Sequence, residues 1–334
     1  MDGAKFRWGV LGCAKIAVEH VIPEMQRSER CEVPAIASRD RQKADQAAET
    51  LGIAKTYGSY EQLLADEDID AVYIPLPNHL HKEWTIRAAE AGKHVLCEKP
   101  IGLTAAEAKE MADACAKANV MLAEAFMYRH HPRYDRLLDI VRSGKIGTVR
   151  GIHATFTYNG AGNSGNIRFN KEMGGGALYD IGVYPISAAR MILGQEPEAA
   201  TVHAQFSEQH DGVDMMASGL LEFPGGVALT FDCGMWSAFR NTLEVVGSEG
   251  RIVVPSAFRY ADEPESANFF VEIGEEREEI QVPFVGQYLL QADDFANSVL
   301  HGAPMRYEPS DAVLNMRVVD ACLQSARTRT RVLL

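Results

Sequence analysis

Up to Ala125 the chain alternates compact apolar runs with helical patterns. Phe6–Leu11, 33–37, Ala71–Ile74, His94–Cys97 and 120–123 are short and β-rich, as strands covered on both faces are. The intervening helices have readable ends. Asp40 is placed to cap a helix that passes through Lys43, Ala47 and Ala48 and stops at Gly52. Ser59 with Gln62, and Thr104 with Glu107, have capping-box spacing, the second ahead of a long Ala-rich helix. Gly92 stands where a left-handed residue would end a helix that begins near His79. Strands alternating with helices in this way predict βαβ units and a doubly wound parallel sheet.

The rhythm changes after Lys145. Segments 149–158, 201–206, 215–223, 227–233, 242–246, Arg251–Val254 and Phe269–Ile273 read as strands. Pro224-Gly225-Gly226 and Gly247-Ser248-Glu249-Gly250 join neighbouring runs tightly, which favours antiparallel hairpins. A helix over 177–193 interrupts the early strands, two more over 288–300 and 310–327 close the chain, and 261–267 reads as a polar loop. The expected fold class is therefore α/β, with an N-terminal doubly wound domain at 1–125. A C-terminal α+β domain at 126–334 would carry a large open, mainly antiparallel sheet.

The 334-residue length fits two cores. With 46 acidic and 33 basic residues the formal charge is -13, and no Lys/Arg face is clustered, so nucleic acid is a poor partner. No apolar run approaches the roughly 20 residues that span a bilayer, and Met1 to Val10 does not have the form of a signal peptide. The six cysteines form no CxxC pair and read as reduced thiols, which points to the cytoplasm.

Candidate chemistry lies where the strands end. Gly9-Val10-Leu11-Gly12-Cys13-Ala14-Lys15-Ile16-Ala17 joins the first strand to the first helix. A Rossmann turn needs small residues where backbone meets pyrophosphate, and here the three positions are Gly12, Ala14 and Ala17. Backbone N–H groups of Cys13, Ala14, Lys15 and Ile16 would open the helix toward a phosphate; an ordinary tight turn has the same composition. The second strand ends at Ala37-Ser38-Arg39, where an NAD-specific enzyme usually carries a carboxylate. Ser38 and Arg39, with Arg41 or Lys43 nearby, would suit a 2'-phosphate and hence NADP, although NAD stays possible and Asp40 also fits a solvated helix start. Leu76, Pro77, Asn78, His79 and His81 leave the carboxyl end of another strand, where open sheets bind ligands; a polar helix start explains the histidines equally well. No carboxylate or cysteine completes a metal-ligand set there.

Glu98-Lys99-Pro100 follows the next strand at the same sheet edge. A partly desolvated lysine beside a nicotinamide could carry a proton or donate to a substrate oxygen, although most lone lysines simply face solvent. Downstream, Gly174-Gly175-Gly176 leads into a helix with Asp180 and Tyr184 four apart, hence on one face. Such a pair can bring a carboxylate and a phenol into one cleft, or Tyr184 can be a core residue.

The Gly12 turn, Glu98-Lys99-Pro100 and the run from Gly174 to Tyr184 have the order and spacing of the Gfo/Idh/MocA oxidoreductases, which the chain resembles over essentially its whole length. Within that family it looks most similar to the glucose–fructose oxidoreductase branch, with its NADP-dependent xylose and dihydrodiol dehydrogenases and sugar ketoreductases. The resemblance implies that Lys99, Asp180 and Tyr184 are catalytic, that Asn78 and Glu98 line the cofactor pocket, and that Arg168 lies near the cofactor. It also implies a homodimer or homotetramer assembled through the open sheet. Inositol dehydrogenases of the family carry His where this chain has Tyr184, so either Tyr184 or Lys99 fits the proton carrier. The expected activity is hydride transfer between NADP(H) and a hydroxyl or carbonyl carbon of a sugar-like substrate. The alternatives are reduction of a nucleotide-linked keto sugar, or a regulatory protein that senses NADP without turnover.

Overall fold

The computed structural model describes residues 5–163, 165–259 and 263–334. The chain divides into two units, Met1–His130 with Val285–Val313, and His131–Phe284 with Leu314–Leu334. The first unit is built on a six-stranded parallel sheet of order β3-β2-β1-β4-β5-β6. Its strands are β1 (Phe6–Leu11), β2 (Cys31–Ala37), β3 (Lys55–Tyr57), β4 (Ala71–Ile74), β5 (His94–Cys97) and β6 (Leu122–Glu124). Between them run α1 (Ile22–Arg27), α2 (Arg41–Leu51), α3 (Tyr60–Leu64), α4 (His81–Glu90) and α5 (Ala105–Lys117). The expected caps are in place. Asp40 accepts from the Gln42 and Lys43 N–H groups, Gly52 is left-handed, and Ser59 and Thr104 accept from Gln62 and Glu107. Gly92, at φ +72°, follows the end of α4.

A single cut after Ala125 does not describe the first unit, because α8 (Gln287–His301) belongs to it. Phe295 packs on Trp8 at 5.1 Å, and Ala292 and Ala296 join the same core as Val10, Val21 and Met25. The helix also has its cap there. Gly286 supplies no side chain, and Glu24 of α1 accepts from the Tyr288 and Leu289 N–H groups at 2.9 and 3.0 Å. A Cβ at Gly286 would lie 2.3 Å from that carboxylate, so only glycine lets it approach.

The second unit opens with α6 (Pro132–Arg142) and carries a nine-stranded sheet of order β14-β13-β12-β11-β7-β10-β9-β8-β15. The strands are β7 (Val149–Asn159), β8 (Ala199–Ser207), β9 (Val213–Glu222), β10 (Ala228–Gly234), β11 (Trp236–Gly247), β12 (Arg251–Val254), β13 (Phe269–Ile273), β14 (Glu276–Ile280) and β15 (Val332–Leu333). Only β7 and β10 pair in parallel; the other neighbours are antiparallel. The hairpins fall at the expected glycines, with Gly225 and Gly226 at positive φ and the Gly247 N–H bonded to the Gly250 carbonyl. α7 (Val183–Leu193) packs on β7 and β10, and α9 (Pro309–Thr328) runs on from the first unit. Of the expected polar loop at 261–267, the first two positions lie outside the described residues and Pro264–Ala267 form a 3-10 turn. The six cysteines are free thiols. Among the described residues no helix is long and apolar enough to cross a membrane.

Candidate active site

In the first unit, Gly12 bends the chain at the end of β1 with φ +114°, and its N–H is bonded to Ala37 on β2. A Cβ there would lie 3.0 Å from Leu76, so the turn needs glycine for both conformation and space. Cys13, Ala14 and Ile16 are half-buried and Lys15 is exposed, its ammonium 3.6 Å from Glu19. The helix that follows begins with a π-helical turn, Ala17–Val21, before α1. The first N–H groups of a helix have no intrahelical acceptor, and they concentrate partial positive charge where a pyrophosphate would sit.

The end of β2 adjoins this turn. Ser38 is buried, its hydroxyl accepts from the Asp40 N–H, and it is a hydrogen-bond partner of the Cys13 thiol. Arg39 and Lys43 are exposed cations: Arg39 bonds the Tyr60 hydroxyl, and the charge of Lys43 acts on Cys13. The Tyr60 hydroxyl also lies 4.0 Å from where a Gly12 Cβ would stand, so Tyr60 links the turn to Arg39. Sequence patterning marks Tyr60 only as the first residue of a capped helix. The nearest acid, Asp40, spends its carboxylate on the α2 N–H groups. A glycine-only bend, a helix start and two cations beside a buried hydroxyl together fit a phosphorylated dinucleotide.

At the ends of β4 and β5, Leu76 is buried, Pro77, Asn78, Glu98 and Lys99 are half-buried, and Lys99-Pro100 is a cis peptide. Glu98 accepts from the fully buried Tyr73 hydroxyl at 2.7 Å and from the Lys99 N–H at 3.3 Å. Burial, then the Glu98 charge, pushes the Tyr73 phenol well up, so it stays a donor. His81 requires a correction. Rather than facing a cofactor, it is fully buried, with one ring nitrogen 2.8 Å from the Pro100 carbonyl and the other 2.8 Å from the Leu76 carbonyl. Two carbonyl acceptors favour the protonated ring, yet burial pushes its pKa down to about 4. Its side chain therefore ties the loop of Asn78 to the loop of Lys99.

In the second unit, the three glycines have separate physical reasons. Gly174 has φ +79°. A Cβ on Gly175 would lie 2.5 Å from the Arg168 carbonyl, which accepts the Gly176 N–H. Gly176 has φ +127°, and its Cβ would meet the Asp214 carboxylate at 2.2 Å. The segment then winds through a π-helical turn, Leu178–Gly182, into α7. Asp180 is buried and accepts from the Tyr158 hydroxyl at 2.7 Å and from Arg168 Nε at 2.8 Å. The Asp180 charge raises the Arg168 pKa, and burial followed by Asp180 raises that of Tyr158. Tyr184, also buried, packs edge-on against Phe156 at 5.4 Å and lies 5.4 Å from Phe258. Phe156 and Tyr158 are two apart on β7 and so share one face of that strand. Asp180 and Tyr184 consequently meet the same strand face, as their spacing implies. Tyr158 escapes a sequence reading, because an aromatic residue in a β-run looks like core. Among the described residues no cluster of His, Cys, Asp and Glu could hold a metal.

Comparison with known proteins places both motifs in one family pattern. The model of the oxidoreductase family with an NAD-binding Rossmann fold (Gfo/Idh/MocA) matches residues 6–126, and that of the Gfo/Idh/MocA C-terminal domain matches 134–253. The chain is similar to an oxidoreductase of Rhizobium meliloti, 42% identical over 96% of each sequence. It is also similar to D-xylose 1-dehydrogenase (NADP(+)) 2 of Haloferax volcanii, 38% identical over 97% of this chain and 98% of that one. Among solved structures, a 3-ketoreductase from Actinomadura kijaniata in complex with NADP and TDP-benzene superposes with a TM-score of 0.90 at 34% identity, covering 96% and 98% of the two chains.

Proposed function

The chain belongs to the Gfo/Idh/MocA family of NAD(P)-dependent oxidoreductases, and we propose that it moves a hydride between NADP(H) and a hydroxyl or carbonyl carbon of a sugar-like substrate. The observation that carries this reading is the buried Asp180 carboxylate, held by the half-buried Arg168 and Tyr158 beside Tyr184. Taking a carboxylate out of water is costly unless it is paired and hydrogen-bonded, and here a guanidinium and a phenol hold it at one fixed place. Similarity to a xylose dehydrogenase and to ketoreductases supplies the substrate class.

In this reading the Gly12 turn, with N–H groups from Cys13 to Ile16, holds the pyrophosphate, and Ser38, Arg39 and Lys43 receive the 2'-phosphate. Leu76, Pro77, Asn78 and Glu98 line the nicotinamide end, supported from behind by His81. The cofactor supplies or accepts the hydride. The protein handles the proton: Tyr184 and Lys99 exchange it with the substrate oxygen, and Asp180 orients substrate hydroxyls through the groups it holds. Arg168, bonded to Asp180, fixes that carboxylate in place. The free thiols suit a reducing cytoplasm, and the open sheet of the second unit suits a homodimer or homotetramer.

A second reading, reduction of a nucleotide-linked keto sugar, is favoured by a relative from Actinomadura kijaniata named dTDP-3,4-didehydro-2,6-dideoxy-alpha-D-glucose 3-reductase, 36% identical over 96% of each chain. Pentoses, hexoses, polyols, dihydrodiols and a nucleotide-linked sugar, each assayed with NADP and NAD, separate the two. Turnover confined to free sugars supports the first, and turnover confined to nucleotide sugars the second. No turnover of any CH–OH or keto substrate in either direction would remove both.

A further inference from the structure

Asp214 lies on β9, in a stretch whose pattern marks only a strand, and it is buried to 3% exposure. Its Oδ2 accepts from the Leu178 N–H at 2.7 Å, and the Ala177 N–H and its own N–H also favour its charged form. The Ala177 and Leu178 N–H groups stand at the entrance to the π-helical turn that carries Asp180 and leads into Tyr184. Gly176, immediately before it, has no room for a Cβ because the carboxylate occupies that space.

We propose that Asp214 is a positioning residue: its carboxylate, received by the first N–H groups of the catalytic segment, sets where that turn begins and so where Asp180 and Tyr184 stand. The proposal rests on the active-site reading above. A neutral hydrogen-bonding side chain would normally serve as a cap at lower cost, since an ionised carboxylate in an apolar interior is disfavoured. The surroundings are apolar apart from a few groups. Cys233 of β10 interacts electrostatically with Asp214 and in turn with Cys322 of α9, and the exposed Arg327 of α9 contributes a weak opposite charge. Burial dominates and pushes the Asp214 carboxyl up to about 7 despite the N–H groups that hold its charged form. Protonation turns one acceptor oxygen into a donor facing those N–H groups and loosens the start of the turn. Catalysis should therefore weaken as pH falls through about 7.

Asp214→Asn mimics the protonated state in nearly the same volume. With a sugar or keto-sugar substrate that the parent turns over, the variant should lose about 10- to 100-fold in kcat, the scale expected when a reacting group is displaced by roughly an ångström. Substrate KM and NADPH affinity should move much less, and the acid limb of the kcat–pH profile should disappear. A folded Asp214→Asn protein with parental kcat and an unchanged acid limb overturns the proposal. Should that variant fail to fold, Arg327→Glu on the exposed helix surface serves instead. Replacing a favourable charge by an unfavourable one should move the acid limb up by roughly half a pH unit, and an unmoved limb counts against Asp214. Tyr184→Phe, measured alongside, separates the two levels. If it and Lys99→Ala both retain full turnover, the active-site reading fails and the positioning role with it; if it is inactive while Asp214→Asn is normal, only the positioning role fails.

Discussion

In the proposed reading, single side chains set the cofactor choice and the proton chemistry. Arg39 is exposed and bonded to Tyr60, while the nearest acid, Asp40, is committed to α2. NADPH should therefore bind roughly tenfold tighter than NADH, a difference of about 1.4 kcal/mol. Arg39→Ala should remove most of that preference and leave NADH binding near its original value. Equal affinities for the two cofactors in the unmodified protein, read by fluorescence titration, would count against the assignment. For the proton, Lys99→Ala and Tyr184→Phe should each lower kcat by about 10²–10⁴-fold, with much smaller changes in NADP(H) affinity. The double variant should lose far less than the product of the two, because groups that act as a unit fail together. Near-normal turnover in both single variants would show that the catalytic residues lie elsewhere. Sequence spacing brings Asp180 and Tyr184 to one helical face, and the structure sets both against β7. It does not disclose Tyr158 or Asp214, because a strand's alternation reports burial and not what a buried hydroxyl or carboxylate faces. His81 misleads for a related reason: a histidine at a ligand-binding sheet edge reads as a ligand until both ring nitrogens are found on backbone carbonyls.

Elements with strong local signals form where their patterns place them, and those without such signals show why patterns fail. The caps at Asp40, Ser59 and Thr104 and the stops at Gly52 and Gly92 work because each satisfies orphan backbone groups within a few residues. β14 is built from Glu276-Arg277-Glu278-Glu279-Ile280, a charged run that no hydrophobic alternation reveals. It lies at the sheet edge, where charge discourages pairing with another chain. β15 is two residues long and forms only by pairing with β8. Of two π-helical turns, Ala17–Val21 begins at the last residue of the Gly12 motif and Leu178–Gly182 lies inside the Gly174 to Tyr184 run, and single π turns are frequent at functional sites. The capping of α8 by Glu24, more than 260 positions away along the chain, is a tertiary event with no local signature. It also makes a direct test of why α8 belongs to the first unit. Glu24→Ala should leave the Tyr288 and Leu289 N–H groups without that acceptor and cost about 0.5–2 kcal/mol. In thermal unfolding this should appear as a lower midpoint at unchanged NADP(H) affinity per folded molecule. A midpoint equal to the parent's would mean that water caps the helix equally well.

For the molecule as a whole, two sheets are legible from rhythm alone, whereas the return of the C-terminal segment to the first unit is not, since it depends on packing between distant stretches. The nine-stranded sheet raises the question of what meets its second face. Register places Thr201, Leu220, Thr230, His153 and Glu244 in one row across β8, β9, β10, β7 and β11. His203, Ser218, Asp232, Thr155 and Thr242 form the next row. Ser218 donates to Asp232, and His153 is paired with Thr230, so much of this polar face satisfies itself and tolerates water. Leu220, Phe206 and Phe239, at 36%, 41% and 66% exposure, are the apolar exceptions on these strands. A second copy of the chain laid on this face would cover Leu220 among hydroxyl and imidazole groups already arranged in rows, a mixed polar and apolar surface of the kind subunit interfaces use. The protein should accordingly scatter light as a dimer or tetramer at micromolar concentration. Leu220→Asp should shift it toward the single chain, because one outward carboxylate per copy is then buried against its twin while the strand keeps its own hydrogen bonds. Its unfolding midpoint should change little when compared at concentrations where both proteins are monomeric. A parent protein with the mass of one chain across that range would show that water, not a partner, meets the open sheet.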